Sequence, residues 1–255
     1  MTAIDWQTTD PIPEDVPFLS FGGRRNSVAL YILLEQEGQP FIALMADPGA
    51  ERPETYEYVA WMQDNGHPVT MMPTYRTVKG LRYNIAEYYW MRKTFPVRFR
   101  RDCTSEFKVR PLQSIYGERD PMIAIAADES HRLPGANRPL VERGIDLPGC
   151  LSIIAGNGWP IPVKSGCYFC PFRPDREYER LAIEHPELAQ WVIALEKRCR
   201  ERLVSVGKEP YYLKDMPIEV VMSGPEARRL WRRQQKGQSN FMEEIGLDPC
   251  PFCHL

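Results

Sequence analysis

The sequence predicts an α/β protein with a doubly wound parallel sheet of about five strands, followed by a helical, cysteine-bearing C-terminal part. Three observations predict this class. Short continuous apolar runs alternate with helical segments, a pattern typical of parallel strands covered on both faces. A glycine turn joins the first strand to the first helix, and six of the seven cysteines follow residue 145. We therefore expect an α/β domain over residues 1–145 and a helical part over residues 146–255.

Composition and charge exclude several classes of protein. Hydrophobic residues make up 43% and charged residues 26% of the 255 residues, which excludes a disordered or fibrous chain. The net charge of −2 gives no global electrostatic case for nucleic-acid binding. No apolar run approaches the roughly 18 residues of a membrane span. Residues 1–17 are acidic and proline-rich, unlike a signal peptide, so the sequence predicts a cytoplasmic protein without membrane contact.

The first elements follow from local pattern. Residues 10–17 contain three prolines and are expected to be extended. Residues 18–21 form an apolar run that predicts the first strand, and residues 28–34 are apolar on nearly every side, which indicates a buried helix. Residues 41–46 predict the second strand, and residues 53–65 predict the helix that follows it.

The later elements are predicted in the same way. Apolar runs over residues 68–72 and 121–127 predict two further strands. Residues 75–119 are aromatic and basic and are expected to form a helix followed by a functional loop. Residues 175–206 predict a helical region broken near Pro186, and residues 226–235 predict a charged helix.

The glycine turn is the first chemical signal. Gly22 and Gly23 directly follow a predicted strand and directly precede a predicted helix. Such a turn directs backbone N–H groups towards one point, and the helix N-terminus adds partial positive charge, so phosphates bind there. The turn lacks the Gly-Lys-Ser/Thr of a Walker loop and the GxGxxG fingerprint. A tight turn without any ligand is the alternative interpretation.

Several motifs together resemble a known family. Ser20-Phe-Gly-Gly-x-x-x-Ser27 resembles the pyrophosphate loop of the adenine-nucleotide alpha-hydrolase superfamily, in its PAPS reductase-like branch with a HUP/PP-loop-like fold. Further similar motifs are Ala46-Asp47-Pro48-Gly49, Cys103-Thr-x-x-Phe-Lys108-x-Arg-Pro111, Asp128-Glu129-x-His131-Arg132, Arg138-Pro-Leu140-Val-Glu142 and Cys167-Tyr-Phe-Cys170-Pro171-Phe-Arg173. The resemblance covers residues 18–180. The Arg24-Arg25-Asn26 insert departs from the family pattern, in which this part of the loop carries an acid or a small residue.

The resemblance implies that ATP is cleaved between its α and β phosphates, with AMP passing to an acceptor, or that an adenylylated sulfur compound is used. Residues 1–145 would then be the nucleotide-binding domain. The implied nucleotide-binding residues are Ser20, Phe21, Gly22, Gly23, Arg25, Asn26, Ser27, Asp47, Asp128, Glu129 and Arg132. Asp47, Lys108 and Cys253 are the implied catalytic residues.

Asp47 has three interpretations. At the carboxyl end of the second strand it can reach a nucleotide over the edge of the sheet. It can also be a Mg²⁺ ligand. Since Asp-Pro is a good start for a helix, the third interpretation is a helix N-cap without any functional role.

The cysteines predict a metal site. Cys167-x-x-Cys170 and Cys250-x-x-Cys253 each have the spacing that lets two thiolates face one ion, and Cys103 is a fifth candidate ligand. A Cys-x-x-Cys followed by proline, as at Pro171, is common in iron–sulfur sites, and the resemblance also favours iron–sulfur. A structural zinc site and the absence of any metal remain as alternatives. Two cysteines without ligand spacing, Cys150 and Cys199, are expected to be buried small hydrophobic residues.

Three functions are consistent with the sequence. One is an ATP pyrophosphatase that adenylylates a nucleobase or nucleic acid and transfers sulfur to it. The second is a sulfonucleotide reductase with a C-terminal cysteine nucleophile, and the third is a non-catalytic nucleotide- or nucleic-acid-binding accessory protein. A basic and aromatic stretch over residues 88–110 suits either nucleic-acid contacts or a solvated face. The expected partners are an adenine nucleotide, a nucleic-acid substrate and a sulfur-donor protein, and a homo-oligomer is left open.

Overall fold

The computed structural model describes residues 2–13, 15–98, 100 and 102–244, with side chains described as far as residue 236. Its strands are β1 (Phe18–Ser20), β2 (Ile42–Asp47), β3 (Thr70–Pro73), β4 (Arg76–Val78), β5 (Leu81–Tyr83) and β6 (Met122–Ile123). The protein is an α/β protein with a four-stranded parallel sheet of order β3-β2-β1-β6. Each of the four predicted apolar runs overlaps one of the strands of this sheet, so the predicted positions of the strands are confirmed, although β2 and β3 each end one residue later than predicted.

Three details differ from the prediction. The parallel sheet has four strands in the described part of the chain, where about five were expected. The run over residues 121–127 supplies only two strand residues, because the Ile125 N–H turns back to the Ile123 carbonyl. Strands β4 and β5 pair with each other as a separate antiparallel hairpin.

Helices follow β1 and β2 as the sequence predicts. The prediction for residues 75–119, a helix followed by a loop, is wrong, because the segment begins with the β4–β5 hairpin and is helical again from residue 102. The helices are α1 (Arg25–Glu37), α2 (Pro53–Asp64), α3 (Ile85–Arg92), α4 (Asp102–Thr104), a π-helix (Ser105–Val109), α5 (Arg110–Tyr116), a 3₁₀-helix (Ala127–Glu129), α6 (Pro139–Glu142), α7 (Leu147–Gly156), α8 (Asp175–Glu184), α9 (Pro186–Ser205), α10 (Ile218–Met222) and α11 (Pro225–Glu244). The break between α8 and α9 lies at the predicted proline. No described helix has both the length and the apolar character needed to cross a membrane.

Both faces of the parallel sheet are covered. Side chains of β2 alternate in direction, so Ala43 and Met45 join the cluster formed with α1, α2 and α7. Ile42 and Leu44 join a second cluster with α5 and the N-terminal Trp6. This arrangement accounts for the continuous apolar character of the strand, since a sheet buried on both sides leaves no polar face.

The chain divides into two compact units. The first consists of Met1–Met91 and Arg101–Tyr168, and the second of Arg92–Arg100 and Phe169–Leu255. Helix α7, which the sequence analysis assigns to the C-terminal part, packs against α1 in the first unit. In the second unit the buried Glu196 carboxylate of α9 accepts backbone N–H bonds from Leu213 (2.8 Å) and Ile218 (2.9 Å). Those two bonds fix the position of the segment that leads into α10 against α9.

Candidate functional site

The glycine turn lies at a sheet position suited to a ligand. It follows β1, which has β2 on one side and β6 on the other. The chain builds β2 and β3 on one side of β1 before it crosses to form β6, so the carboxyl ends of β1 and β6 flank the point where the strand order reverses. Ligands of open α/β sheets bind at such points.

The turn itself has a well-defined geometry. Gly23 has a φ of +62°, and a Cβ there would lie 3.0 Å from Thr55 Cγ2, so glycine is required. Gly22 is exposed, and a Cβ there would meet no atom within 4 Å. The Ser27 hydroxyl accepts the N–H bonds of Arg24 (3.0 Å) and Gly22 (3.4 Å). Ser27 therefore shapes the turn from within.

The insert that departs from the family pattern is ordered by a distant serine. The Arg24 Nε donates to Ser165 Oγ (3.0 Å), and Ser165 Oγ donates to the Gly22 carbonyl (2.6 Å). Arg24 immediately precedes α1, while Arg25 and Asn26 form the first turn of that helix and are half-buried. The guanidinium group of Arg24 is thereby held beside the turn.

Asp47 ends β2 at the same edge of the sheet. Its Oδ1 accepts bonds from the Gly49 N–H (2.8 Å) and from the Tyr56 hydroxyl (2.7 Å). Burial and this bond to Asp47 raise the pKa of the Tyr56 phenol, so Tyr56 remains a donor. The helix N-cap interpretation of Asp47 is wrong, because α2 begins at Pro53 with Arg52 as its N-cap. The nucleotide and Mg²⁺ interpretations of Asp47 stay predictions.

A buried ion pair lies beside the turn. The Lys108 ammonium donates to Glu51 Oε1 at 2.5 Å, and the Glu51 side chain is 0% exposed. Glu51 Oε2 is buried without a hydrogen-bond partner among the described residues. Burial lowers the pKa of Lys108, but the charges of Glu51 and Cys167 outweigh it, so the pKa lies above its ordinary value. The charge of Arg24 acts in the opposite direction and lowers the Lys108 pKa slightly.

The predicted acidic and basic residues after β6 contact their own neighbours. Asp128 Oδ1 accepts the Leu147 N–H (3.2 Å) at the start of α7. Glu129 and Arg132 form an ion pair of 2.7 Å on the surface. Their predicted nucleotide contacts stay predictions, as do those of Ser20 and Phe21 at the end of β1.

Two of the predicted metal ligands, Cys103 and Cys167, lie in the first unit. Burial raises the pKa of the Tyr89 phenol, and the charges of both cysteines raise it further. Among the described residues, no group of three metal-ligating side chains within 4.8 Å of one another includes a cysteine. Cys103 and Cys167 are half-buried. Cys170 belongs to the second unit, where its carbonyl accepts the Tyr178 hydroxyl (2.9 Å).

The other cysteines fall into two groups. Cys150 and Cys199 are both 0% exposed, which confirms their prediction as buried residues. Burial, with smaller effects from Asp128 and Asp146, raises the pKa of the Cys150 thiol to about 11. The terminal pair, Cys250 and Cys253, lies outside the described residues, so its ligand and nucleophile roles stay predictions.

The basic and aromatic stretch is partly engaged within the protein. The Arg98 Nε donates to the Pro171 carbonyl (3.1 Å), and Arg110 pairs with Glu106. The guanidinium of Arg76 lies 5.0 Å from the centre of the Tyr88 ring. These cations are held by protein groups, which favours a partly structural role for the stretch.

Three residues of the site were not assigned from the sequence: Arg24, Glu51 and Ser165. Arg24 belongs to the insert whose arginines can neutralise charge on a leaving pyrophosphate, but the sequence gives no reason to select it over Arg25. Glu51 is a charged residue in a loop at a strand end, and Ser165 directly precedes the Gly166-Cys167 step. These positions are weak signals, because the partners of Glu51 and Ser165 lie 57 and about 140 residues away.

Comparisons with known proteins do not add to this description. No family model, curated protein or solved structure matches the chain. The function is therefore inferred from the residues of the site.

Proposed function

We propose that the chain is an ATP pyrophosphatase of the PAPS reductase-like kind. It binds ATP at the glycine turn, adenylylates an acceptor in a nucleobase or nucleic acid, and supports sulfur transfer through a cysteine-bound cluster. The supporting observation is the glycine turn between β1 and α1, at the reversal point of the strand order, with the cations Arg24 and Lys108 beside it.

The local groups suit a polyphosphate. The N-terminus of α1 adds partial positive charge to the turn, and phosphates bind at such termini. The open space at Gly22 leaves its surface accessible to a ligand. The positive charges of Arg24 and Lys108 favour an anionic ligand at the turn.

The proposed reaction follows from these placements. An acceptor oxygen attacks the α phosphorus of ATP, the bond to the bridging oxygen breaks, and pyrophosphate leaves with that oxygen. The backbone of the glycine turn and the two cations would carry the developing charge on the leaving group. Asp47, oriented by Gly49 and Tyr56 through its Oδ1, would hold the Mg²⁺ ion, which would supply positive charge to the phosphates.

The cysteines would hold the cluster in the proposed sulfur transfer. Thiolates of Cys103 and Cys167 would be the ligands from the first unit. Cys170 joins them on the ground of its spacing from Cys167, and Cys250 or Cys253 would be the fourth ligand. An iron–sulfur cluster supplies a site at which sulfide can be held and passed on, whereas zinc would serve only as a structural tie.

The test of the nucleotide half is a product assay. Protein purified without oxygen is incubated with ATP and Mg²⁺, and pyrophosphate and AMP are measured against Lys108→Met and against Lys197→Met, an exposed lysine on α9. We expect pyrophosphate from the wild type and from Lys197→Met, and at least a tenfold lower rate from Lys108→Met. Sulfite release from a phosphoadenylyl sulfate without any pyrophosphate from ATP would contradict the proposal in favour of a sulfonucleotide reductase.

The test of the cysteine half is elemental. Iron, zinc and sulfide are measured in the wild type and in serine variants of single cysteines. We expect Cys103→Ser and Cys167→Ser to lose iron, because an oxygen ligand binds it less well, while Cys150→Ser retains it. Stoichiometric zinc without sulfide in the wild type would contradict the iron–sulfur proposal.

A further inference from the structure

The segment of residues 160–168 connects the glycine turn to a cysteine. It follows α7, and residues 160–166 form neither helix nor strand. Its start is held where the Tyr58 hydroxyl donates to the Pro160 carbonyl (2.9 Å), and its end where the Tyr168 N–H donates to the Ala50 carbonyl (3.0 Å). Cys167 forms an isolated antiparallel bridge with Glu51. The segment is therefore fastened to the loop after β2 beside the first Cys-x-x-Cys thiol.

Ser165 fastens the same segment to the loop after β1. Ser165 is buried, with 4% of its surface exposed. Its Oγ donates to the Gly22 carbonyl (2.6 Å) and accepts from the Arg24 Nε (3.0 Å). These two partners flank Gly23, the residue with the positive φ. One hydroxyl therefore contacts the glycine turn on both sides of its most constrained position.

We propose that Ser165 is a positioning residue that couples the occupancy of the glycine turn to the placement of Cys167. This inference rests on the proposed binding of ATP at the turn. A phosphate can be bound by the turn only when the Gly22 carbonyl points away from it and the Arg24 guanidinium lies beside it. Ser165 fixes both groups and stands two residues before Cys167, so a ligand that orders the turn also orders the cysteine.

The coupling has a reciprocal form. If a nucleotide at the turn stabilises one arrangement of residues 160–168, then loss of that arrangement must lower the affinity for the nucleotide by the same factor. A purely structural serine would instead change stability without linking the two segments. The two roles are separated by a double-mutant cycle and by a readout at the far end of the segment.

The first arm of the experiment measures ATP affinity by calorimetry on the full-length protein purified without oxygen. The proteins are the wild type, Ser165→Ala, Arg24→Gln and the double variant. Ser152→Ala is the matched control, because the exposed Ser152 hydroxyl on α7 donates to the Pro148 carbonyl of its own helix (3.1 Å). We expect a five- to tenfold loss of ATP affinity for Ser165→Ala and no loss of affinity for Ser152→Ala. The double variant should lose less than the product of the two single losses, since part of the serine's effect passes through Arg24.

The second arm measures hydrogen exchange in peptides covering residues 160–168. ATP should slow exchange in the wild type and in Ser152→Ala, and should leave it unchanged in Ser165→Ala. Ser165→Thr retains a hydroxyl and should restore the response, which a loss of folding alone would not predict.

The outcomes separate the two proposals. Binding of ATP by the wild type without any change in the 160–168 peptides, or a normal response in Ser165→Ala, overturns the coupling and leaves the proposed function standing. A strictly multiplicative loss in the double variant also overturns it. An absence of ATP binding by the wild type overturns the proposed function and the coupling together.

Discussion

Replacement of Lys108 by methionine should destabilise the first unit through the carboxylate that it leaves behind. Glu51 is 0% exposed, and its Oε1 accepts from Lys108 while its Oε2 has no partner in the described part of the chain. The substitution keeps most of the lysine stem and removes only the ammonium. The Glu51 carboxylate would then be buried with no compensating cation, and a buried charge without a partner is strongly unfavourable.

The magnitude follows from the geometry. Breaking a buried ion pair by removing one partner costs about 3–5 kcal/mol. The Lys108 side chain is 34% exposed, so solvent already screens part of the attraction and the expected cost lies at or below the lower end of that range. We expect the free energy of unfolding to fall by about 2–3 kcal/mol. A double variant with methionine at positions 51 and 108 should have a free energy of unfolding within about 1 kcal/mol of the wild type, because it removes both charges of the pair.

The assay is urea unfolding followed by tryptophan fluorescence, since four of the six tryptophans lie in the first unit. The control is Lys197→Met, which removes an exposed ammonium and should change stability by at most about 0.5 kcal/mol. Equal stability of Lys108→Met and Lys197→Met would refute the reasoning. So would a double variant that is less stable than Lys108→Met alone.

Three further predictions concern other parts of the chain. Gly23→Ala should lower stability by about 1–3 kcal/mol, because it combines a positive φ with a 3.0 Å contact, and Gly22→Ala should have no comparable effect in the same unfolding assay. The Cys150 pKa of about 11 means that the unfolded thiol ionises first, so the folded state loses stability as pH rises from 9 to 11, and Cys150→Ala should show a smaller loss over that range. Burial raises the pKa of Glu196 despite two backbone donors, so the folded state binds its proton more tightly than the unfolded state. The contribution of Glu196 to stability therefore falls as pH rises above the unfolded pKa of about 4.5. The free energy of unfolding of the wild type should fall relative to that of Glu196→Gln as pH rises above this value.

The sequence predicts most of the sheet because its strands are buried on both faces. Strand β2 is apolar at every position before Asp47, and such a run differs from both loops and amphipathic helices. The β4–β5 hairpin was missed, because its strands are short and largely exposed and carry no alternating apolar pattern. Gly80 in the turn between them was a usable sequence signal. Two-residue hairpin turns require positive φ, which glycine adopts readily, and Lys79 and Gly80 both have positive φ.

The site was predictable only where one segment contains all of its parts. The glycine turn is local, so its position follows from the apolar runs of residues 18–21 and 28–34 on either side of it. The Glu51–Lys108 pair joins positions 57 residues apart, and the Arg24–Ser165 bond joins positions 141 apart. Neither pair leaves a periodic trace, because each depends on how the loops after β1 and β2 meet other segments at the edge of the sheet.

Binding of adenine-nucleotide phosphates at the glycine turn is tested by calorimetric titration of ATP into Gly22→Asp. A Cβ at Gly22 meets no atom within 4 Å and the residue has no positive φ, so the fold should tolerate the change while the carboxylate repels phosphate. Gly156→Asp is the matched control, because that glycine in α7 also has open space and an ordinary φ. The account predicts ATP binding by the wild type and by Gly156→Asp, with affinity at least about tenfold weaker for Gly22→Asp. Equal affinity in all three proteins, or no binding by the wild type, would contradict it.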